Sequence, residues 1–229
     1  MRLGRIIKNL IGLFLIPLVS GAALSLFDTG EDFFRVNKNS FYFPIGIAVY
    51  IVIRIFISML GSSLMEFLEV FYHELIHTFY SIISFKGVRS FFASDSKGGE
   101  IEISKSNFVI ELSPYFFPLF ALVFCGLKPF IVEEFQLYII FLAGLGIGLH
   151  LSSVFHDFKF QQSDIERNGA LFSFVIVLLL NIIFLGIIFS ILGYDHSVIN
   201  QFFYGCINNS RNLVEFLIRI LLDVSGIKK

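Results

Sequence analysis

Two histidines and a glutamate stand together in the segment Phe71-Tyr72-His73-Glu74-Leu75-Ile76-His77. The flanking residues are apolar and helix-compatible, and on a helix residues four apart share a face. His73 and His77 can therefore offer two imidazole nitrogens to one metal ion. Glu74, one step round the helix, can reach a water bound to that ion and serve as general base. The chain has only five histidines, and two of them fall at this spacing with a glutamate in the right slot. Burying the trio for packing alone would cost several kcal/mol without a compensating partner. Metal ligation is the stronger reading.

A catalytic zinc takes three protein ligands and keeps one position for water. The third ligand must come from elsewhere in the chain, and the downstream residues able to supply it are Asp157, Asp164, His150 and His156. Asp157 closes one apolar stretch, and Asp164 precedes the next. Ser163-Asp164 also suits a plain helix cap or first-turn acid. Imidazole plus carboxylate points to Zn2+, and the same set admits iron or cobalt. Glu66, Glu69, His73 and His77 share a helix face. Glu69 can orient His73 from behind or pair with Arg54, since an intramembrane arginine needs an acidic partner.

The elements that must hold these residues are strongly apolar. The chain is 56% hydrophobic, with 31 Phe and 15% charged residues among 229. Its mean hydropathy is +0.82, which indicates a polytopic membrane protein. A net charge of -1 and the lack of a basic run give no case for nucleic-acid binding. Cys125 and Cys206 lack metal-ligand spacing and read as packing residues.

Apolar segments are expected over 10–27, 42–60, 108–127, 135–155 and 170–192, with the motif helix over 64–85. Arg2, Arg5 and Lys8 precede the first segment, which reads as an uncleaved anchor although Ser20-Gly21-Ala22 resembles a cleavage site. A polar loop is expected over 28–40. Ser63 and Glu66 have capping-box spacing. Turn residues at Ser96-Lys97-Gly98-Gly99 and alternation in Glu100-Ile101-Glu102-Ile103 predict a β-hairpin over 88–104. Arg211, Glu215, Arg219 and Asp223 line one face of an amphipathic, interfacial helix over 210–224. Asn181 suits an interhelical hydrogen bond. The expected fold is an all-α polytopic membrane protein of about five to six transmembrane helices, with a small β-hairpin after the motif helix and a C-terminal amphipathic helix. The chain reads as one domain over 1–229, its core about 62–192 and its N-terminal spans over 10–60.

A metal-binding motif on a membrane helix, then a short hairpin, then further spans with a distal aspartate, resembles the site-2 protease family of intramembrane zinc metalloproteases. The matching pieces are His73-Glu74-Leu75-Ile76-His77, the Lys97-Gly98-Gly99-Glu100 turn and the aspartates near the last span, covering about 64–192. The family carries Asp-Gly in its distal motif, where this chain has Gln161-Gln162-Ser163-Asp164-Ile165 and a separate Asn168-Gly169. Leu112-Ser113-Pro114-Tyr115 is loosely similar to a family Ala-Gly-Pro stretch. The resemblance implies His73 and His77 as zinc ligands, Glu74 as catalytic base, and a distal aspartate as third ligand, assigned to Asp164 by position. It also implies a hairpin that pairs with an extended substrate strand.

The function expected is zinc-dependent hydrolysis of a peptide bond in a membrane-protein or signal-peptide substrate, within the lipid bilayer of the cell membrane, bacterial in kind. A membrane metal transporter or sensor using the same residues is the alternative. The basic N-terminus favours a cytoplasmic start. Two full crossings before the motif helix would then send the hairpin outside, whereas Lys86, Arg89, Lys97 and Lys105 favour a cytoplasmic hairpin.

Overall fold

The computed structural model describes residues 2–94, 98–103, 106–193 and 197–225. Nine α-helices and a two-stranded hairpin are present among them: α1 (Arg2–Val36), α2 (Tyr42–Met59), α3 (Leu64–Ile83), β1 (Val88–Ser94), β2 (Gly98–Ile103), α4 (Phe108–Phe116), α5 (Leu119–Leu127), α6 (Gln136–Asp157), α7 (Ser163–Asn168), α8 (Ala170–Leu192) and α9 (Ser197–Ser225). Four helices are long and apolar enough to cross a membrane, or five if the bent pair α4–α5 counts as one span. The motif helix α3 is not among the four, because its polar face carries the residues of interest. The chain divides into two compact units, one of residues 1–37 with 171–229 and one of residues 38–170.

In the first unit, α1 packs against α9. The polar loop expected over 28–40 is instead helical as far as Val36. Asp28, Glu31 and Asp32 do not break the helix, since Arg35 pairs with Asp32 at 2.5 Å, three residues apart, and Phe33 is buried against Phe189 with ring centroids 5.1 Å apart. Small residues permit close approach of the two helices. A Cβ on Gly21 would strike Ser210, and one on Gly205 would strike Ser25. Ser25 donates to the Phe202 carbonyl at 2.7 Å, and Asn37 donates to the Leu192 carbonyl at 2.9 Å. Ala22, Leu179, Phe202 and Cys206 form one buried apolar cluster of this unit. The C-terminal amphipathic helix is longer than expected, with α9 beginning at Ser197. Its Arg211 and Glu215 pair at 3.6 Å. Asn181 donates to the Val177 carbonyl of its own helix at 2.8 Å.

The second unit holds α2 to α7 and the hairpin. α2 and α6 cross at Gly46 and Gly144, where a Cβ on either would meet the backbone of Phe141 or Phe43. Ser63 is the N-cap residue of α3 but makes no side-chain capping bond. The hairpin strands are antiparallel, with Phe91 opposite Ile101 and Ala93 opposite Gly99. Of the expected turn, Ser96 and Lys97 lie outside the described residues.

The span expected over 108–127 is broken into α4 and α5, bent by 71°. Pro118 dictates the break, since proline cannot donate into the helix and disfavours α conformation at Phe117 before it. Phe117 is indeed extended, at φ -103° and ψ 101°. The groups exposed by the break are met by Tyr72 of α3. Its hydroxyl donates to the Phe117 carbonyl and accepts from the Leu119 amide, both at 3.1 Å.

Candidate metal centre

The buried stripe of α3 comprises Met65, Glu69, Tyr72, His73, Ile76, His77 and Ser81, with Glu74 beside it. Steps of three and four put these residues on one face, so the apolar members that bury the helix carry the histidines inward with them. His73, Glu74 and His77 are all buried.

Asp164 comes to this face from the first turn of α7. His73, His77 and Asp164 each offer one ligand atom, and these atoms lie within 4.8 Å of one another. His77 Nε2 is 3.6 Å from Asp164 Oδ2. Two ligands about 2.0–2.1 Å from a tetrahedral zinc stand roughly 3.3–3.4 Å apart, so the His77–Asp164 pair is close to that spacing, while the group of three is bounded more loosely, within 4.8 Å. His77 Nδ1 is 2.8 Å from the Ile110 carbonyl oxygen. With Nδ1–H donating to that carbonyl, Nε2 keeps its lone pair for a metal.

Asp164 is itself held in place. Asn168, buried in the same short helix, donates from Nδ2 to the Asp164 carbonyl at 2.8 Å and to Glu111 Oε2 of α4 at 2.6 Å. α4 therefore supports both sides of the centre, through Glu111 on α7 and through Ile110 on His77. Asn107 caps α4, accepting from the Ile110 amide at 2.9 Å. Tyr115, also on α4, sets its ring edge-on to His73, with centroids 5.2 Å apart.

Of the other sequence candidates, Asp157 lies beside His73, with Oδ2 3.2 Å from Nδ1. It stands outside the group of three. His156 Nδ1 is 2.7 Å from Asp157 Oδ1. His150 does not join the centre. It is buried against Tyr72, its Nδ1 3.3 Å from the phenolic oxygen. Glu69 pairs with Arg54 and does not orient His73. Glu66 is half-buried and also outside the group.

The hairpin reaches the centre at Gly99. A Cβ there would fall on the Glu74 carboxylate, so only glycine lets the strand backbone pass this close. Among the described residues, the buried Glu74 Oε2 has no hydrogen-bond partner. Three carboxylates, Glu74, Asp157 and Asp164, gather about two imidazoles. Such a set is costly to bury without a cation, and its nitrogen and oxygen donors match those that zinc prefers. The residues fit the metal. Sequence reasoning singled out His73, Glu74, His77 and Asp164, but not Ile110, Glu111 and Tyr115 of α4 or Asn168 of α7, whose roles come from the packing of α4 against α3 and α7 and leave no local pattern.

No family model, curated protein or solved structure matches this chain.

Proposed function

We propose that this protein is a zinc-dependent intramembrane endopeptidase, akin to the site-2 proteases, acting on a membrane-protein or signal-peptide substrate in the cell membrane. One observation carries the reading: His73, His77 and Asp164 offer three ligand atoms within 4.8 Å of one another, directly beside a buried glutamate. His73, His77 and Asp164 would hold the ion. Bound there, zinc would polarise the scissile carbonyl and acidify a water.

The chain's own residues supply the rest. Glu74 takes a proton from the attacking water at its unpartnered Oε2 and delivers it to the leaving amine. The Ile110 carbonyl fixes the ring of His77. Gly99 brings a strand of backbone alongside Glu74, so an extended peptide added to the hairpin edge would lie next to the base. Main-chain pairing of this kind requires the substrate to unwind, because a helical peptide keeps its carbonyls bonded. The four apolar helices support a setting within the membrane.

The test is cleavage of a single-span substrate by purified protein in proteoliposomes, with zinc content measured on the same sample. Stoichiometric zinc, with cleavage lost in Glu74→Gln, supports the reading. Cleavage undiminished in Glu74→Gln sinks it. Metal flux that survives Glu74→Gln but not His73→Ala would instead establish a transporter.

A further inference from the structure

Two aspartates were open as third ligand, and both lie at the histidines. Their surroundings differ. Asp164 faces His77 Nε2, the ring nitrogen that the Ile110 carbonyl leaves free. Asp157 faces His73 Nδ1 at 3.2 Å, an ion-pair approach without hydrogen-bond alignment. Its other oxygen accepts from His156 Nδ1 at 2.7 Å, and Ser153 of the preceding turn lies 3.5 Å from Oδ2. Both carboxylate oxygens are thus engaged by protein groups.

We propose that Asp157 is a positioning residue: it holds His73 by Nδ1, so that Nε2 is presented to the metal, and His156 holds Asp157 in turn. The inference rests on the metal-centre reading above. The two histidines then stand on unlike supports. His77 leans on a neutral carbonyl and His73 on a carboxylate. A carboxylate partner raises the basicity of the ligating nitrogen more than a carbonyl does, and loss of such a partner costs roughly 10–100-fold in metal affinity. The half-exposed His156, with 41% of its side chain accessible, anchors the carboxylate from the opposite side. Asp157 closes α6, so the end of that helix is fixed to the motif helix by this chain of three groups.

The experiment measures zinc affinity by chelator competition, and the visible spectrum of the Co2+-loaded protein, for wild type, Asp157→Asn, Asp157→Ala, His156→Ala and Asp164→Ala in detergent. Asp164→Ala is expected to lose stoichiometric metal. Asp157→Ala is expected to keep metal with affinity reduced roughly 10–100-fold, and His156→Ala with a smaller reduction. Asp157→Asn, close to isosteric and suited to folding where the alanine variant fails, is expected to keep the four-coordinate cobalt intensity with shifted band positions. Wild-type affinity and an unshifted spectrum in Asp157→Asn would overturn the positioning role alone. Complete metal loss in Asp157→Ala, with metal retained in Asp164→Ala, would make Asp157 the ligand. Wild type without stoichiometric metal would overturn both this inference and the metal-centre reading.

Discussion

Arg54 and Glu69 form a two-pronged ion pair between α2 and α3, with Nε 2.7 Å from Oε1 and Nη2 3.2 Å from Oε2. Ser152 of α6 adds a hydrogen bond to Oε1 at 2.5 Å, and Tyr50 donates to the same oxygen at 3.3 Å. The Glu69 side chain is fully buried, while a third of Arg54 is exposed. One carboxylate thus ties three helices together, one turn before His73. Arg54→Met leaves that charge buried and uncompensated, and is expected to destabilise the protein by about 3 kcal/mol. Arg54→Met with Glu69→Leu is expected to recover most of the loss. Thermal unfolding in detergent reads both, and equal instability of the single and double variants would refute the account.

Glu74→Gln keeps the shape of the side chain and removes its basicity. Proteolysis is expected to fall by about 10²–10⁴-fold, the usual worth of a general base. Zinc content should stay at the wild-type level, because Glu74 is outside the group of three that could hold the ion. Elemental analysis beside a cleavage assay separates the two effects.

Chelation should abolish cleavage, and added zinc should restore it. The three carboxylates near the centre also predict a stability change. A ligand that binds only the folded state stabilises it by about 2.7 kcal/mol at a hundred times its Kd. The melting temperature should therefore drop on chelation and return with zinc, and a melting curve indifferent to both would argue against a bound metal.

Gly99→Ala puts a methyl group where the Glu74 carboxylate lies. Either the strand or the carboxylate must shift. Displacement of a catalytic group by about 1 Å can cost on the order of 10²-fold in rate. Zinc affinity and melting temperature should change little, since neither depends on the approach of β2 to Glu74. Gly126→Ala, where an added Cβ meets nothing within 4 Å, is the control and is expected to be milder.

Asn168→Ala removes the bridge from α7 to Glu111. Asn168 is buried, and its loss leaves the Glu111 carboxylate without its 2.6 Å donor. A cost of about 1–3 kcal/mol is expected, with weakened zinc binding because the turn that carries Asp164 is no longer braced. Unchanged zinc affinity would show that α7 holds Asp164 without this bond.

The two histidines and Glu74 were legible in the sequence because helical periodicity places the histidines on one face and Glu74 one step round from them. Asp164 was legible only by its place before an apolar segment, and its selection over Asp157 needed the distances. The pairing of Asp157 with His73 left no local signal, since it depends on where α6 ends relative to α3. Pro118 stands within the segment expected over 108–127, but nothing in the sequence says that Tyr72 meets the bonds broken there. The acidic residues 28–32 suggested a loop, yet i,i+3 pairing and a buried Phe33 keep α1 helical there. Gly99 looked like any turn glycine. Its value lies in a carboxylate some twenty-five residues away in the chain.

The first unit joins residues 1–37 to residues 171–229, and this sets an order of events at the ribosome. α1 is synthesised first, but α8 and α9 are made only after the whole of the second unit. At about 5–20 residues per second, α1 waits on the order of ten seconds for α9. During that interval the face bearing Gly21, Ala22 and Ser25 is open to any other small-residue helix nearby. Until α9 is made, α1 lacks the helix it packs against, and the first unit closes only when both are present.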